Sequence, residues 1–183
     1  MADILSPLAT SYHKCFVYEE QLIAVLGITD DLLNPNTINF FDFETIQWSI
    51  YQAHIEGSSR AVADIIGTDI IYIGGDTWNT HTNGDVKAIH FLERFTEKIH
   101  ELKYMTWAAA GAYHKNSFYI FGGGGSDHAD GALRQNHASD RLYKYTLGES
   151  YPCSKGSYRE NGQCVLCKRG TFKVNTGDYE CTP

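Results

Sequence analysis

The chain has almost no methionine, 2 residues in 183, and no apolar run approaching the roughly 18 residues that a membrane-crossing helix needs. Its start, Met1-Ala2-Asp3-Ile4-Leu5-Ser6-Pro7, lacks the basic stretch and the apolar stretch of a secretory signal peptide. Positive charge is also scarce where most of the chain lies. Residues 1 to 150 carry 10 Lys+Arg against 19 Asp+Glu, a balance of −9, whereas residues 151 to 183 carry 5 against 3, a balance of +2. An acidic body of this kind repels a phosphate backbone, which excludes nucleic acid as a partner.

What is present points to a packed core. Hydrophobic residues make up 43% and aromatic residues 13%, too much apolar surface for a disordered chain. With 12 Tyr, 9 Phe and 17 Gly, the mixture suits short strands joined by tight turns better than helical bundles. The length allows one domain, or a domain with a small appendage.

An internal repeat organises the first part. Three segments align without gaps at a spacing of 48: Glu20 to Gly27, Thr68 to Gly75 and Asn116 to Gly123. Each is a polar turn, four consecutive apolar residues, then a glycine pair (Leu26-Gly27 in the first, Gly74-Gly75 and Gly122-Gly123 in the others). Four apolar residues between turn residues describe a strand buried on both faces. The glycines permit a bend or a close approach that a Cβ would obstruct.

A period near 48 suits Kelch and WD40 blades, and the glycine pair without a Trp-Asp ending favours Kelch. The chain resembles the Kelch repeat family over about residues 11 to 148. That family places an aromatic residue seven before a Trp, and Phe41 and Trp48 match the pattern. The second repeat has Leu92 and Ile99 in those places, and the third keeps Tyr143 and Tyr145 without a Trp. The resemblance implies an all-β fold, an incomplete β-propeller of about three four-stranded blades. One segment conflicts with it: Phe91 to Leu102 spaces its apolar residues as a helix does, and only the repeat register makes it strand. Three blades do not close a propeller, so further blades or another chain are expected to complete it. The missing signal peptide makes a fragment of a longer protein the first expectation, beside completion by another chain and an arc that stands alone.

A second composition begins at Tyr151-Pro152. Four of the five cysteines, Cys153, Cys164, Cys167 and Cys181, lie in residues 151 to 183, in two units of Cys-x-x-Gly-x-aromatic, a turn, then Cys. So short a segment needs covalent or metal staples. Pairing within units joins Cys153 to Cys164 and Cys167 to Cys181, one of three connectivities. The units resemble the cysteine-rich repeats of ephrin-receptor-like and tumour-necrosis-factor-receptor-like ectodomains, in which a further cysteine would follow Cys181-Thr182-Pro183. The rival reading is zinc on Cys164, Cys167, Cys181 and a cysteine beyond the chain. Disulfides would place the module outside the cell or in a lumen. Cys15, beside Phe16 and Val17, is expected as a buried thiol.

No catalytic constellation stands out, and no cofactor or metal is expected. Gly122 to Ser126 superficially resembles a phosphate loop, but no Lys-Ser/Thr follows, so it reads as a bent strand end. Asp127, His128, Asp130, His137 and Asp140 gather in one polar segment, with Trp78 and His81 in the matching segment one repeat earlier. These segments, with Asp30-Asp31, are candidate recognition loops for a protein or glycan; simple solvation is the alternative. The reading that results is a non-catalytic binding or structural piece of an extracellular or cell-surface protein. A cytoplasmic Kelch adaptor with a reduced or zinc-binding tail is the second, and a propeller enzyme of oxidase type the third.

Overall fold

The structure, a computed structural model, describes residues 10–29, 36–52, 58–75, 84–102, 107–125, 137–138, 140–148, 152–153, 155–161, 163–175, 177 and 180–183. Among them there is no helix. The strands are β1 (Thr10–Ser11), β2 (Lys14–Tyr18), β3 (Gln21–Val25), β4 (Ile28–Thr29), β5 (Thr37–Asp42), β6 (Gln47–Gln52), β7 (Val62–Ile66), β8 (Asp69–Ile73) and β9 (Asp85–His90). They continue with β10 (Phe95–Glu101), β11 (Ala110–His114), β12 (Ser117–Phe121), β13 (Gly124–Gly125), β14 (His137–Ala138), β15 (Leu142–Thr146), β16 (Ser157–Glu160) and β17 (Gln163–Leu166).

Three antiparallel sheets carry the body: β2-β3-β5-β6, then β7-β8-β9-β10, then β11-β12-β15. The first two are four-stranded meanders, and among the described residues no sheet closes on itself. The repeat governs the backbone residue by residue. First strands begin at Lys14, Val62 and Ala110, and second strands at Gln21, Asp69 and Ser117, each 48 apart. Left-handed backbone recurs on the same beat, at Tyr12, Arg60 and Ala108, at Glu19, Gly67 and Lys115, and at Leu26, Gly74 and Gly122. Turns and bends that repeat this closely are set by the chain's local chemistry, not by chance packing.

The sheets stack face on face, and the stack is directional. One face of the first sheet (Ile23, Val25, Ile38, Phe40) packs against Ile70, Tyr72 and Ile89 of the second. The opposite face of the second (Val62, Ile71, Ile73, Val86, Ala88) packs against Phe118 and Ile120 of the third. Val62, Ile71, Ile73, Val86 and Ala88 lie 48 residues after Lys14, Ile23, Val25, Ile38 and Phe40, so the same face of each repeat covers the next sheet. Alternate side chains of β8 therefore enter two different cores, and all five of its residues are buried. That is why the sequence there is a continuous apolar run. Backbones of neighbouring sheets come closest along their first strands, β2 to β7 and β7 to β11.

Several expectations are corrected. The third sheet has three described strands, not four. After Leu147 the sequence runs through Gly148 and Pro152 into a disulfide-held segment, with no alternating run to supply a return strand. Phe91 to Leu102 is a turn followed by β10, and its helix-like spacing is divided between them: Leu92 is exposed in the turn while Ile99 packs into the second core. Strand register puts Ile89 and Thr96, not Leu92 and Ile99, at the positions of Phe41 and Trp48. Cys15 is exposed, because it lies on the face of the first sheet that no other sheet covers.

The glycine pair does steric work at Gly75. Its φ is +91°, and a Cβ there would lie 2.6 Å from Ser59 O and against Ser58 Oγ. Replacing it, Gly75→Ala, adds left-handed strain and a backbone clash, together at least about 2 kcal/mol. Urea unfolding followed by tryptophan fluorescence should show that loss; a change below about 0.5 kcal/mol would contradict the close approach.

Candidate functional site

Antiparallel connection gives the stack two different ends. The tight turns Glu19-Glu20, Phe43 to Ile46, Gly67-Thr68, Phe91 to Arg94 and Lys115-Asn116 lie at one end. The longer connections, from β4 to β5, from Gly75 to Gly84 and from Gly125 to His137, leave and return at the other. Of the residues proposed for recognition, Trp78, His81, Asp127, His128 and Asp130 lie outside the described residues. Asp140 is exposed, and the backbone of His137 pairs with Gly125 in the β13–β14 ladder.

Beside those connections stands a cluster that no motif in the sequence singles out. The Arg60 guanidinium lies 4.5 Å from the centre of the Tyr12 ring and 5.3 Å from that of Trp107. Each contact of this kind contributes about 0.5–1 kcal/mol at an exposed site. Arg60 also accepts a 2.9 Å hydrogen bond from Ala108 N through its carbonyl, one repeat later in the chain. Trp107 in turn lies over Gly124, where a Cβ would come 2.7 Å from the indole, and Trp107 N and Gly124 N each donate to the other's carbonyl at 2.9 Å. Part of the Gly122 to Gly125 run thus spends its backbone on a strand pairing. Gly122 N donates to Arg141 O at 3.2 Å, so this is the bent strand end that was expected.

The aromatic spacing of the first repeat has a direct cause. The turn Phe43 to Ile46 brings Phe41 opposite Trp48 on adjacent strands, with ring centres 5.1 Å apart. Asp42 closes that turn by accepting hydrogen bonds at Oδ1 from Glu44 N at 3.0 Å and from Thr45 N at 2.7 Å. These bonds, led by the Thr45 amide, hold its carboxyl below the ordinary value.

At the position of Asp42 one repeat later stands His90. Its Nδ1 is 2.8 Å from Asp69 Oδ1 and its Nε2 is 3.1 Å from Glu97 Oε1. The ring stacks on Phe95 at 4.3 Å. Burial alone would lower the imidazole's pKa, but the hydrogen bonds and charges of Asp69 and Glu97 outweigh it and raise the value above 6.5. With both ring nitrogens engaged, His90 offers no free nitrogen to a substrate or metal; it ties three strands together. Among the described residues no group of three or more His, Cys, Asp or Glu is arranged to hold a metal ion.

The cysteine-rich segment docks at this same turn end. Cys153 is bonded to Cys164 and Cys167 to Cys181, closing sequence separations of 11 and 14. Thr68 Oγ1 donates to Lys155 O at 2.9 Å, Lys155 Nζ lies 3.2 Å from Glu93 Oε1, and Cys164 packs against the core between the second and third sheets. Inside the module Lys173, which is buried, donates from Nζ to the carbonyls of Cys153 and Gly177. The module is therefore a cap on the turn end of the second sheet. Among the described residues no helix is long and apolar enough to cross a membrane.

A raised histidine pKa fixes a sign. The folded state prefers the protonated ring, so this stabilisation is fully present below pH 6.5 and is lost as pH rises through the raised folded value. Urea stability of the native chain should fall from pH 6 to pH 8 by more than that of His90→Gln. Identical pH profiles would contradict the assignment. Compared with known proteins, the chain matches no protein-family model and no curated protein.

Proposed function

We propose that the chain is a non-catalytic module of an extracellular or cell-surface protein, in which Kelch-like blades present a protein- or glycan-binding end. The observation that carries the reading is the 48-residue beat, which runs through sequence, strand starts and left-handed positions alike. A repeat in which each sheet covers the next, with neighbouring backbones closest along their first strands, supports the blade reading. The two disulfides favour an oxidising compartment.

Binding falls to the loop end for a physical reason. The cysteine-rich cap occupies the turn end of the second sheet, and both faces of that sheet are covered by its neighbours. The loop end carries the longest connections, with Arg60, Tyr12 and Trp107 at their base. Aromatic rings beside a guanidinium suit both sugar faces and protein side chains.

Thiol titration of the denatured, unreduced protein, made in an oxidising compartment, tests the reading. One reactive thiol, Cys15, is expected, and five would overturn it. Each of the two loops should contribute roughly 3 kcal/mol to the cap on the chain-entropy model. Reduction with dithiothreitol should accordingly release the cap before the sheets unfold, which a drop in protease resistance confined to residues 152–183 would record.

A further inference from the structure

We propose that two copies of this chain pair head to tail, the free face of the third sheet in each packing on the free face of the first sheet in the other, to close a ring of six sheets. The inference rests on the blade reading above and adds the partner. Its warrant is the directional stack. Within the chain the same two kinds of face meet twice, first sheet on second and second on third. The two kinds of face left over are complementary in that same sense. Three sheets from each of two copies give about six blades, within the four to eight that close a propeller.

The leftover faces look like halves of the interfaces already made. On the third sheet, Phe121 is 55% exposed and Leu142 65% exposed; they are cross-strand partners, with Ala110 opposite Phe121 on the other side. Phe121 lies 48 residues after Ile73, which is fully buried. On the first sheet, Val17 is 62% and Ile50 43% exposed, and Cys15, opposite Ala24 on the edge strand, is exposed too. Val17 and Ala24 correspond, 96 residues earlier, to Tyr113 and Ile120, which face the second core.

The repeat also supplies a contact to test. A Cβ on Gly111 would touch Val62 across the interface between the second and third sheets. Gly111 and Val62 correspond to Cys15 and to Ala110 at the proposed interface, because 111 is 96 after 15 and 110 is 48 after 62. The thiol already present therefore faces position 110 of the other copy.

Light scattering of the full chain at about 50 µM should give twice the 20.5 kDa of one chain, and L142D, a change at an exposed position, should give the single mass with unchanged circular dichroism. On mild oxidation the A110C variant should form a covalent dimer through Cys15, and that band should vanish when Cys15→Ser is added. A single-chain mass with no covalent dimer overturns the pairing, and a ladder of species larger than the dimer overturns its closure. A monomer that keeps one free thiol and the Gly75→Ala sensitivity sinks the pairing alone. Loss of those two properties as well would sink the blade reading beneath it.

Discussion

The structure depends on the burial of the second sheet from both sides. Ile70 and Tyr72 of β8 point into the core shared with the first sheet, and Ile71 and Ile73 into the core shared with the third; all four are fully buried. At about 1.5–3 kcal/mol for each large apolar side chain removed from water, this one strand accounts for a large part of what holds three sheets together. The first and third sheets each have one covered face. Their exposed apolar residues, Val17, Ile50, Phe121 and Leu142, are the consequence. A stack built this way has no natural end, which is the physical reason that propellers close.

The polar features follow from the same stack. Where sheets meet along their first strands, Gly27 N donates to Ser58 O and Ala108 N to Arg60 O, each at 2.9 Å, so the first sheet is tied to the lead-in of the second and that lead-in to the lead-in of the third. At the turn end, Asp42 and His90 occupy one repeat position and do one job with different chemistry. Asp42 accepts from the turn's own amides, while His90 is held between two carboxylates from neighbouring strands. The cap then rests on the second sheet through Thr68, Glu93 and Lys155, and its own fold is held by two disulfides and the buried Lys173.

Much of this could be read from the sequence, for identifiable reasons. The apolar run and glycine pair are local signals, and each recurs at a fixed distance, so the second strand of each repeat is legible, while the pairing of its later strands is not: Ile89 and Thr96, rather than Leu92 and Ile99, match Phe41 and Trp48. Phe41 and Trp48 were visible because a four-residue turn fixes their spacing. The cysteine units were visible because the whole motif repeats. What stayed hidden depends on contacts between repeats. Arg60 lies between Tyr12 and Trp107, which belong to the lead-ins of other sheets. His90 meets Asp69 and Glu97 only through register. Cys15 sits in a sequence that suggests burial, and its exposure follows from being in the outermost sheet. The third sheet has three described strands, because after Leu147 the sequence passes through Gly148 and Pro152 into the cysteine-rich segment.

Amide hydrogen exchange of the intact chain, resolved by peptide, measures the two-sided burial directly. Residues 69–73 should exchange most slowly of all, well behind residues 95–101 at the outer edge of the same sheet. Exchange of 69–73 as fast as that of 95–101 would mean that the second sheet is not enclosed, and the stack described here would be wrong.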